Sequence, residues 1–260
     1  MAESATLGVE RDGTVALLRL ARPEKRNALD LATIAALGAF FAEPPAGVRV
    51  AVLTGTGEHF CAGLDLGDVR EADFMSGFRT TQAWHRAFAA LEYGTIPVIA
   101  ALHGATIGGG LELAAAAHIR IGGPTAFYAL PEGQRGIFLG GGGSVRLPRL
   151  IGTARVMDLM LTGRVLDADA GHAAGLTQYR AADPLALALE LAHAVAENAP
   201  LSNLAILQAL PRIGEGSRDA AFLTEAFVSS VVQSQPEAKE RIRDFLERRS
   251  ARLRPPGEDG

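Results

Sequence analysis

The stretch 96–117, IPVIAALHGATIGGGLELAAAA, is the most informative part of the sequence, because an apolar run passes through a glycine cluster into an alanine-rich run. Residues 96–102 are apolar and partly β-branched, which predicts a short strand. Three glycines at 108–110 interrupt that run, and the helix formers of 111–117 predict a helix with Gly109 at its start. The sequence therefore predicts a strand, a glycine turn and a helix in succession.

Glu112 is the one carboxylate of this stretch, and it lies one turn into the predicted helix. The amides at a helix start lack partners within the helix and lie at the positive end of its dipole. The N–H of Gly109 therefore suits an anion or a developing oxyanion, with Glu112 beside it. The same residues also fit a tight strand-to-helix connection, in which the glycines allow close packing and Glu112 complements the dipole. The stretch by itself leaves both interpretations open.

The composition predicts a globular chain with a sizeable core. With 260 residues and 48% hydrophobic content, the chain suits one large domain or a domain with an appendage. Its net charge of −4 argues against a nucleic-acid partner, because phosphate-backbone binding needs a basic surface.

The cysteine and the N-terminal segment indicate a reducing compartment and no membrane. Cys61 is the single cysteine, so no intramolecular disulfide framework is possible. Residues 1–13 lack a basic region followed by an apolar core, and the apolar runs are too short for a bilayer. We expect no signal peptide, no membrane partner and a cytoplasmic location. No two of the six histidines have the i, i+4 spacing of a zinc helix, so no metal site is expected.

Strands and helices alternate in the first half of the chain, and helices dominate the second. Strands are predicted at 15–20, 48–53, 118–122 and 125–129. A first helix is predicted with Asn27 as a possible cap, and Ser144 is expected to cap a later helix. In a helix between them, Trp84, Phe88 and Leu91 are expected to share the side that faces the core. Further helices are predicted in 154–175, 184–198, 201–210 and 218–249, with a break near Pro236 and a disordered tail at 254–260.

A second carboxylate, Glu132, follows Glu112 by 20 residues and also lies beside glycine and apolar residues. Burial among apolar groups raises the pKa of a carboxyl, so one of the two could remain protonated as an acid while the other acts as a base. The pair therefore suits acid–base chemistry at one oxyanion site. Other chemistries fit less well, since Gly55 and Gly57 lack the third glycine of a dinucleotide fingerprint and Ser144 lacks the second glycine of a nucleophile elbow.

Six blocks of sequence together resemble the enoyl-coenzyme A hydratase/isomerase, or crotonase, family over nearly the whole chain. In family order they read RPEKRNALD, VAVLTGTGEHFCAGLDL, IPVIAALHGATIGGGLELA, AFYALPEG, GGGGSVRLPRLIG and LTGRVLDADAGHAAGL. The resemblance implies an α/β fold in which residues 1–200 form a spiral of β-β-α units. It implies that 201–260 form a helical region that builds homotrimers, commonly paired into hexamers. It also implies acyl thioesters of coenzyme A as substrates, with no separate cofactor.

The resemblance also assigns site residues in this sequence. The backbone N–H groups of Leu64 and Gly109 match the family's oxyanion hole, and Glu112 and Glu132 match the glutamates that flank the catalytic water in family hydratases. The remaining positions that match substrate or coenzyme A contacts are Lys25, Arg26, Ala28, Ala62, Asp65 and Gly108. Lys25 and Arg26 are equally consistent with idle surface charges.

The glutamate at position 112 favours hydration of a trans-2-enoyl thioester to a 3-hydroxyacyl thioester, because related isomerases generally lack it. Double-bond isomerisation, other enolate chemistry of coenzyme A thioesters, and noncatalytic acyl-thioester binding are the alternatives. The chain departs from the family at Leu139, where proline is usual, and at His103 and His118. We expect the glycine loop 140–143 to be looser than in relatives or differently shaped. His103, just before the glycine turn, is expected to be a structural histidine, with contact to the site as the alternative.

Overall fold

The structure, a computed structural model, describes residues 6–69 and 73–247. The chain forms two compact units that divide after Glu197. No helix among the described residues is long and apolar enough to cross a membrane.

The first unit is built on a six-stranded sheet with the strand order β1-β2-β3-β4-β6-β8. The β1 and β2 strands are antiparallel, and the other neighbours in this sheet are parallel. A second sheet contains only β5 and β7, which are parallel. The strands are β1 Leu7–Asp12, β2 Val15–Leu20, β3 Val50–Gly55, β4 Val98–Leu102, β5 Ala105–Ile107, β6 Ile119–Gly122, β7 Phe127–Ala129 and β8 Tyr179–Arg180.

Side chains of alternate residues in the central strands pack into two separate hydrophobic cores. In β2, Ala16 and Leu18 belong to the larger core, whereas Val15 and Leu17 belong to the smaller one. Successive side chains of a strand point to opposite faces, so a strand covered on both faces must be apolar throughout. This explains why these strands are continuous apolar runs.

Helices cover both faces of the sheet, which confirms the predicted α/β class. Two β-β-α repeats, β4-β5-α3 and β6-β7-α4, each place one strand in the large sheet and one in the small sheet. The helices of this unit are α1 Leu31–Ala42, α2 Phe74–Glu92, α3 Gly109–Ala116, α4 Gly143–Ile151, α5 Thr153–Thr162, α6 Ala168–Ala174 and α7 Pro184–Ala196.

The second unit contains three helices among its described residues, α8 Pro200–Glu215, α9 Arg218–Ser234 and α10 Pro236–Leu246. The break near Pro236 is confirmed, because this proline is the first residue of α10 and fits a position that needs no N–H donor. The tail predicted to be disordered, 254–260, lies outside the described residues.

Two helix starts differ from the prediction. The cap of α1 is Asp30, whose carboxylate accepts the N–H of Thr33 at 2.8 Å, and not Asn27. The cap position of α4 is Gly142, so Ser144 lies inside the helix and caps nothing. In α4 a distant carboxylate, Glu112, accepts the N–H of Gly143 at 2.8 Å, and a local side-chain cap is not needed.

The sequence reading also missed three short strands. It treated the glycine cluster as one turn, whereas β5 lies between β4 and α3, and it gave no strand at β1 or β8. Two of these strands, β5 and β8, have only three and two residues, and half of the residues of β1 are charged. Their existence therefore depends on pairing with a neighbour more than on an apolar pattern.

Candidate active site

The loop after β3 is held between two other segments by backbone hydrogen bonds. On one side Cys61 donates to Ala105 and accepts from Ile107, at 2.8 and 3.1 Å. On the other side Leu29 donates to Gly63 at 2.7 Å, and Asp65 donates to Leu29 at 2.9 Å. The loop therefore continues the pairing of both neighbours, and its N–H groups have fixed directions.

This arrangement brings Leu64 and Gly109 together, as the resemblance predicted. A Cβ added to Gly109 would lie 3.3 Å from the Leu64 nitrogen, and one added to Gly63 would lie 3.2 Å from the Gly109 nitrogen. Among the described residues, no backbone hydrogen bond uses the N–H of Leu64 or of Gly109. The two donors therefore lie side by side, and Gly109 begins α3, whose dipole adds to their attraction for negative charge.

Close packing also requires the glycines of this turn. A Cβ on Gly109 would lie 2.7 Å from the ring of Trp84, and one on Gly110 would lie 2.8 Å from the Cβ of Cys61. Cys61 is fully buried, and burial raises its pKa to about 12, so its thiol is unreactive at neutral pH.

Glu112 is 3% exposed, and the glycine loop surrounds its carboxylate. Its Oε1 accepts the N–H groups of Gly141 and Gly143, both at 2.8 Å. Burial raises the pKa of Glu112, while the N–H groups of Gly143, Gly141 and Gly140 and the charge of Arg146 oppose that rise. The loop expected to be looser is therefore tied to this carboxylate.

Glu132 is 5% exposed and follows β7 at the start of the 3-10 helix Gly133–Arg135. Burial is the main cause that raises its pKa to about 7, with the charge of Glu112 acting in the same direction and that of Arg135 opposing it. Its Oε1 lies next to the turn, 2.6 Å from where a Cβ of Gly108 would be. Its Oε2 is buried and has no hydrogen-bond partner among the described residues. Glu132 is thus a carboxyl whose raised pKa favours the protonated form, and it has one oxygen available.

Glu112, Glu132 and both backbone donors line one cavity of about 250 Å³. Trp84 forms part of the wall, so the helix face of Trp84, Phe88 and Leu91 is buried as predicted and also contributes to the cavity. The cavity is lined by Ala62, Gly63, Leu64, Leu66, Asp73, Gly77, Thr80, Thr81, Trp84, Gly108, Gly109, Glu112, Glu132, Arg135, Ile137, Phe138 and Gly140.

The predicted coenzyme A contacts are divided between the cavity and its surroundings. Ala62 and Gly108 line the cavity, whereas Lys25, Arg26 and Ala28 do not, and the first two are exposed. Asp65 does not line it either.

Asp65 is part of an ion-pair cluster around Arg22, which the sequence reading missed. Arg22 binds Asp65 at 2.8 Å and Asp30 at 3.3 Å, and its hydrogen bond holds the pKa of Asp65 below the usual range. Asn27 has a φ of 56°, a conformation that asparagine tolerates, and its amide donates to the carbonyls of Thr56 and His59. These contacts hold the segment that contains Arg22 and Asn27 against the loop that follows β3.

His103 and His118 both lie outside the cavity lining. His103 Nε2 is 3.1 Å from the Gly57 carbonyl, and His118 Nδ1 accepts the N–H of Val98 at 2.9 Å. Burial lowers the pKa of both imidazoles. Their contacts are with backbone atoms, as expected of structural histidines.

The sequence profile of the enoyl-CoA hydratase/isomerase family matches residues 10–254. The chain belongs to this family. Its members act on acyl thioesters of coenzyme A, and the protein is an enzyme of the crotonase type.

Relatives and solved structures agree with this family over nearly the full length. The chain is 32% identical to the short-chain-enoyl-CoA hydratase of Clostridium acetobutylicum, covering 93% of this chain and 94% of that protein. It is 32% identical to the 2,3-dehydroadipyl-CoA hydratase of Escherichia coli, covering 93% and 96%. A crystal structure from Rhodopseudomonas palustris, which carries a provisional enoyl-CoA hydratase name, superimposes with a TM-score of 0.92 at 51% identity, covering 97% and 99%. The crotonase-like fold predicted from the sequence is confirmed.

Proposed function

We propose that the protein catalyses the reversible hydration of a trans-2-enoyl thioester of coenzyme A to the 3-hydroxyacyl thioester. The observation that carries this proposal is the pair of buried carboxyls, Glu112 and Glu132, that line one cavity beside two free backbone donors. The names of the relatives in Clostridium acetobutylicum and Escherichia coli, both hydratases, support it.

The backbone donors have the first role in this mechanism. The thioester carbonyl accepts hydrogen bonds from the N–H groups of Leu64 and Gly109, which polarise the conjugated double bond and stabilise the enolate-like oxygen. Donors of this type contribute about 3–4 kcal/mol each to transition-state stabilisation. They require no reorganisation here, because the pairing of the loop with its neighbours already fixes them.

The two glutamates divide the proton transfers. Glu112, supported as an anion by the N–H groups of Gly141 and Gly143, removes a proton from the water that adds to C3. Glu132, whose pKa is raised to about 7, delivers a proton to C2. Exchange with solvent then returns both groups to their starting protonation states. One water is added across the double bond, and no other reactant is needed.

The acyl group is expected to lie along the apolar wall of the cavity. Leu66, Ile137 and Phe138 line it and are also substantially exposed, as on a surface that a ligand covers. The substrate classes named for the two hydratases differ, one being short-chain and one 2,3-dehydroadipyl, so a series of acyl thioesters is the appropriate probe.

The test follows the loss of conjugated enoyl absorbance with short-chain and medium-chain trans-2-enoyl thioesters. We expect Glu112→Gln and Glu132→Gln each to lower kcat by about 10²–10⁴-fold, because each removes one proton transfer. Glu190→Gln, a change at an exposed carboxylate on α7, is the matched control and should leave kcat unchanged.

Three outcomes contradict the proposal. Unchanged absorbance at every chain length in the wild-type protein excludes hydration. Full activity of Glu112→Gln with loss in Glu132→Gln indicates isomerase or other enolate chemistry that uses one carboxyl. Binding of thioesters that is insensitive to both changes, without turnover, indicates a noncatalytic binding protein.

A further inference from the structure

The glycine loop 140–143 has no side chains, yet it determines the surroundings of Glu112. Gly141 and Gly143 donate their N–H groups to the Glu112 carboxylate, and Gly142 has a φ of 89°. Four consecutive glycines lose much conformational entropy when ordered. Contacts outside the loop must therefore hold it in this conformation.

Arg146, one turn into α4, makes one of these contacts. Its Nη1 donates to the Gly141 carbonyl at 2.8 Å, while its Nε and Nη2 both contact Oε2 of Glu92 at 2.7 Å. Gly141 therefore accepts from Arg146 at its carbonyl and donates to Glu112 at its N–H. The Arg146 and Glu92 side chains are only 10% and 19% exposed, so solvent screens this pair weakly.

Glu92 is itself anchored to the sheet through His118. The Glu92 carbonyl, in the last residue of α2, is 3.0 Å from His118 Nε2, and His118 Nδ1 accepts the N–H of Val98. Because Nδ1 is an acceptor here, the proton of the neutral ring is on Nε2, which donates to Glu92. A continuous series of contacts thus runs from β4 through His118, Glu92 and Arg146 to Gly141.

We propose that Arg146 and Glu92 are positioning residues that hold the glycine loop in the conformation in which its N–H groups support the Glu112 carboxylate. This inference rests on the proposed role of Glu112 as the base. Burial disfavours the ionised form of Glu112, whereas the N–H groups of the loop favour it. Glu112 is therefore available as a base only while the loop keeps this conformation.

The groups that influence Glu112 are few among the described residues. Arg146 lies behind the loop, and Glu132 and Asp73 line the same cavity as Glu112. Arg135 lies near Glu132 and lowers the pKa of that carboxyl. The α2 helix contributes Trp84 and Phe88 against the loop, and neither ring titrates. A change in the pH dependence of an Arg146 variant can thus be assigned to the titratable groups that surround this cavity.

The test compares Arg146→Met and Glu92→Ala with the wild-type protein in the hydration assay. We expect kcat to fall by about tenfold to a hundredfold with KM nearly unchanged, since a misplaced base impairs the chemical step and not binding. The acidic limb of the pH profile of kcat should move upward by about half a unit or more, while the alkaline limb, which Glu132 sets, stays in place. Glu92→Gln keeps an oxygen acceptor for Arg146 and should retain most of the activity.

Arg164→Met is the matched control, because it breaks an exposed ion pair with Asp158 and should change neither kcat nor the pH profile. If Arg146→Met does not fold, Arg146→Lys replaces it, and it should show a smaller loss with the same upward shift. Folded variants with wild-type kcat and an unmoved acidic limb overturn the inference, as does a loss confined to KM. Wild-type protein that does not hydrate any enoyl thioester would instead refute the proposed function.

Discussion

At the scale of single residues, the structure separates two glutamates of similar burial by their hydrogen bonds. Oε1 of Glu112 accepts two backbone N–H groups, whereas Oε2 of Glu132 has no partner in the described part of the chain. The sequence shows two carboxyls in similar glycine-rich, apolar surroundings. It does not show which one the protein supports as an anion.

The raised pKa of Glu132 predicts a measurable cost to stability. An acid whose pKa rises from 4.5 to about 7 on folding binds its proton more tightly in the folded state, so stability falls as the pH rises through this window. We expect Glu132→Gln to raise the free energy of unfolding by about 2–3 kcal/mol at pH 8 and by under about 1 kcal/mol at pH 5. Urea unfolding followed by the fluorescence of Trp84, the single tryptophan, measures both values.

Glu190→Gln provides the control for this comparison, because its carboxylate is exposed and should give no gain at either pH. A gain for Glu132→Gln that is equal at pH 5 and pH 8 would show that ionisation of Glu132 does not carry the cost.

At the scale of elements, the N-terminus of α4 is aimed at the carboxylate of α3. Gly143 is the first residue of α4, and its N–H donates to Glu112. A Cβ on Gly143 would lie 2.6 Å from Cγ of Glu112, so the helix can approach the carboxylate this closely only with glycine there. The helix dipole then adds to the two hydrogen bonds.

This contact predicts the effect of one added methyl group. Gly143→Ala should displace the Glu112 side chain and lower kcat by about a hundredfold, because misplacement of a catalytic group by about 1 Å has effects of that size. The matched control is Gly214→Ala in α8, where nothing lies within 4 Å of the new Cβ and a helix position gains about 0.5–1 kcal/mol. Hydration kinetics and thermal unfolding of both variants decide the point, and an active Gly143→Ala would contradict the tight fit.

At the scale of the whole molecule, the second unit exposes more apolar surface than a solvated helical region needs. Phe222 and Phe227 on α9 and Phe245 on α10 are 58%, 65% and 59% exposed. The described residues of α9 and α10 include no buried side chain. Large apolar side chains exposed in this way are typical of surfaces that another chain covers.

We therefore expect the protein to assemble into homotrimers or hexamers, as the family resemblance predicts. Sedimentation equilibrium should give a mass of three or six chains, and Phe227→Glu should shift the distribution toward smaller species by placing a charge on an apolar contact. Glu225→Gln, a change at an exposed neighbour on the same helix, should leave the mass unchanged. A wild-type protein that sediments as a monomer would contradict the expectation.

Most of the elements, and the two carboxyls that line the cavity, could be predicted from the sequence alone. The strand at Val15–Leu20, the helix that begins at Gly109 and the break at Pro236 follow from apolar period, glycine and proline, which act locally. The same local patterns identified Glu112 and Glu132, and the resemblance added Leu64 to Gly109. These residues line one cavity because the motifs that contain them lie at the ends of neighbouring elements.

The atoms that hydrogen-bond to those residues became evident only from the three-dimensional structure. The contacts of Gly141 with Glu112 and of Arg146 with Glu92 join positions 29 and 54 apart in the chain. A glycine run has no side-chain pattern that would indicate its conformation, so its sequence predicted a looser or differently shaped loop. Two groups hold the loop in its conformation: the Glu112 carboxylate of α3, which accepts its N–H groups, and the Arg146 guanidinium of α4, which donates to the Gly141 carbonyl. Pairing over such separations depends on the path of the chain, which local propensity does not encode.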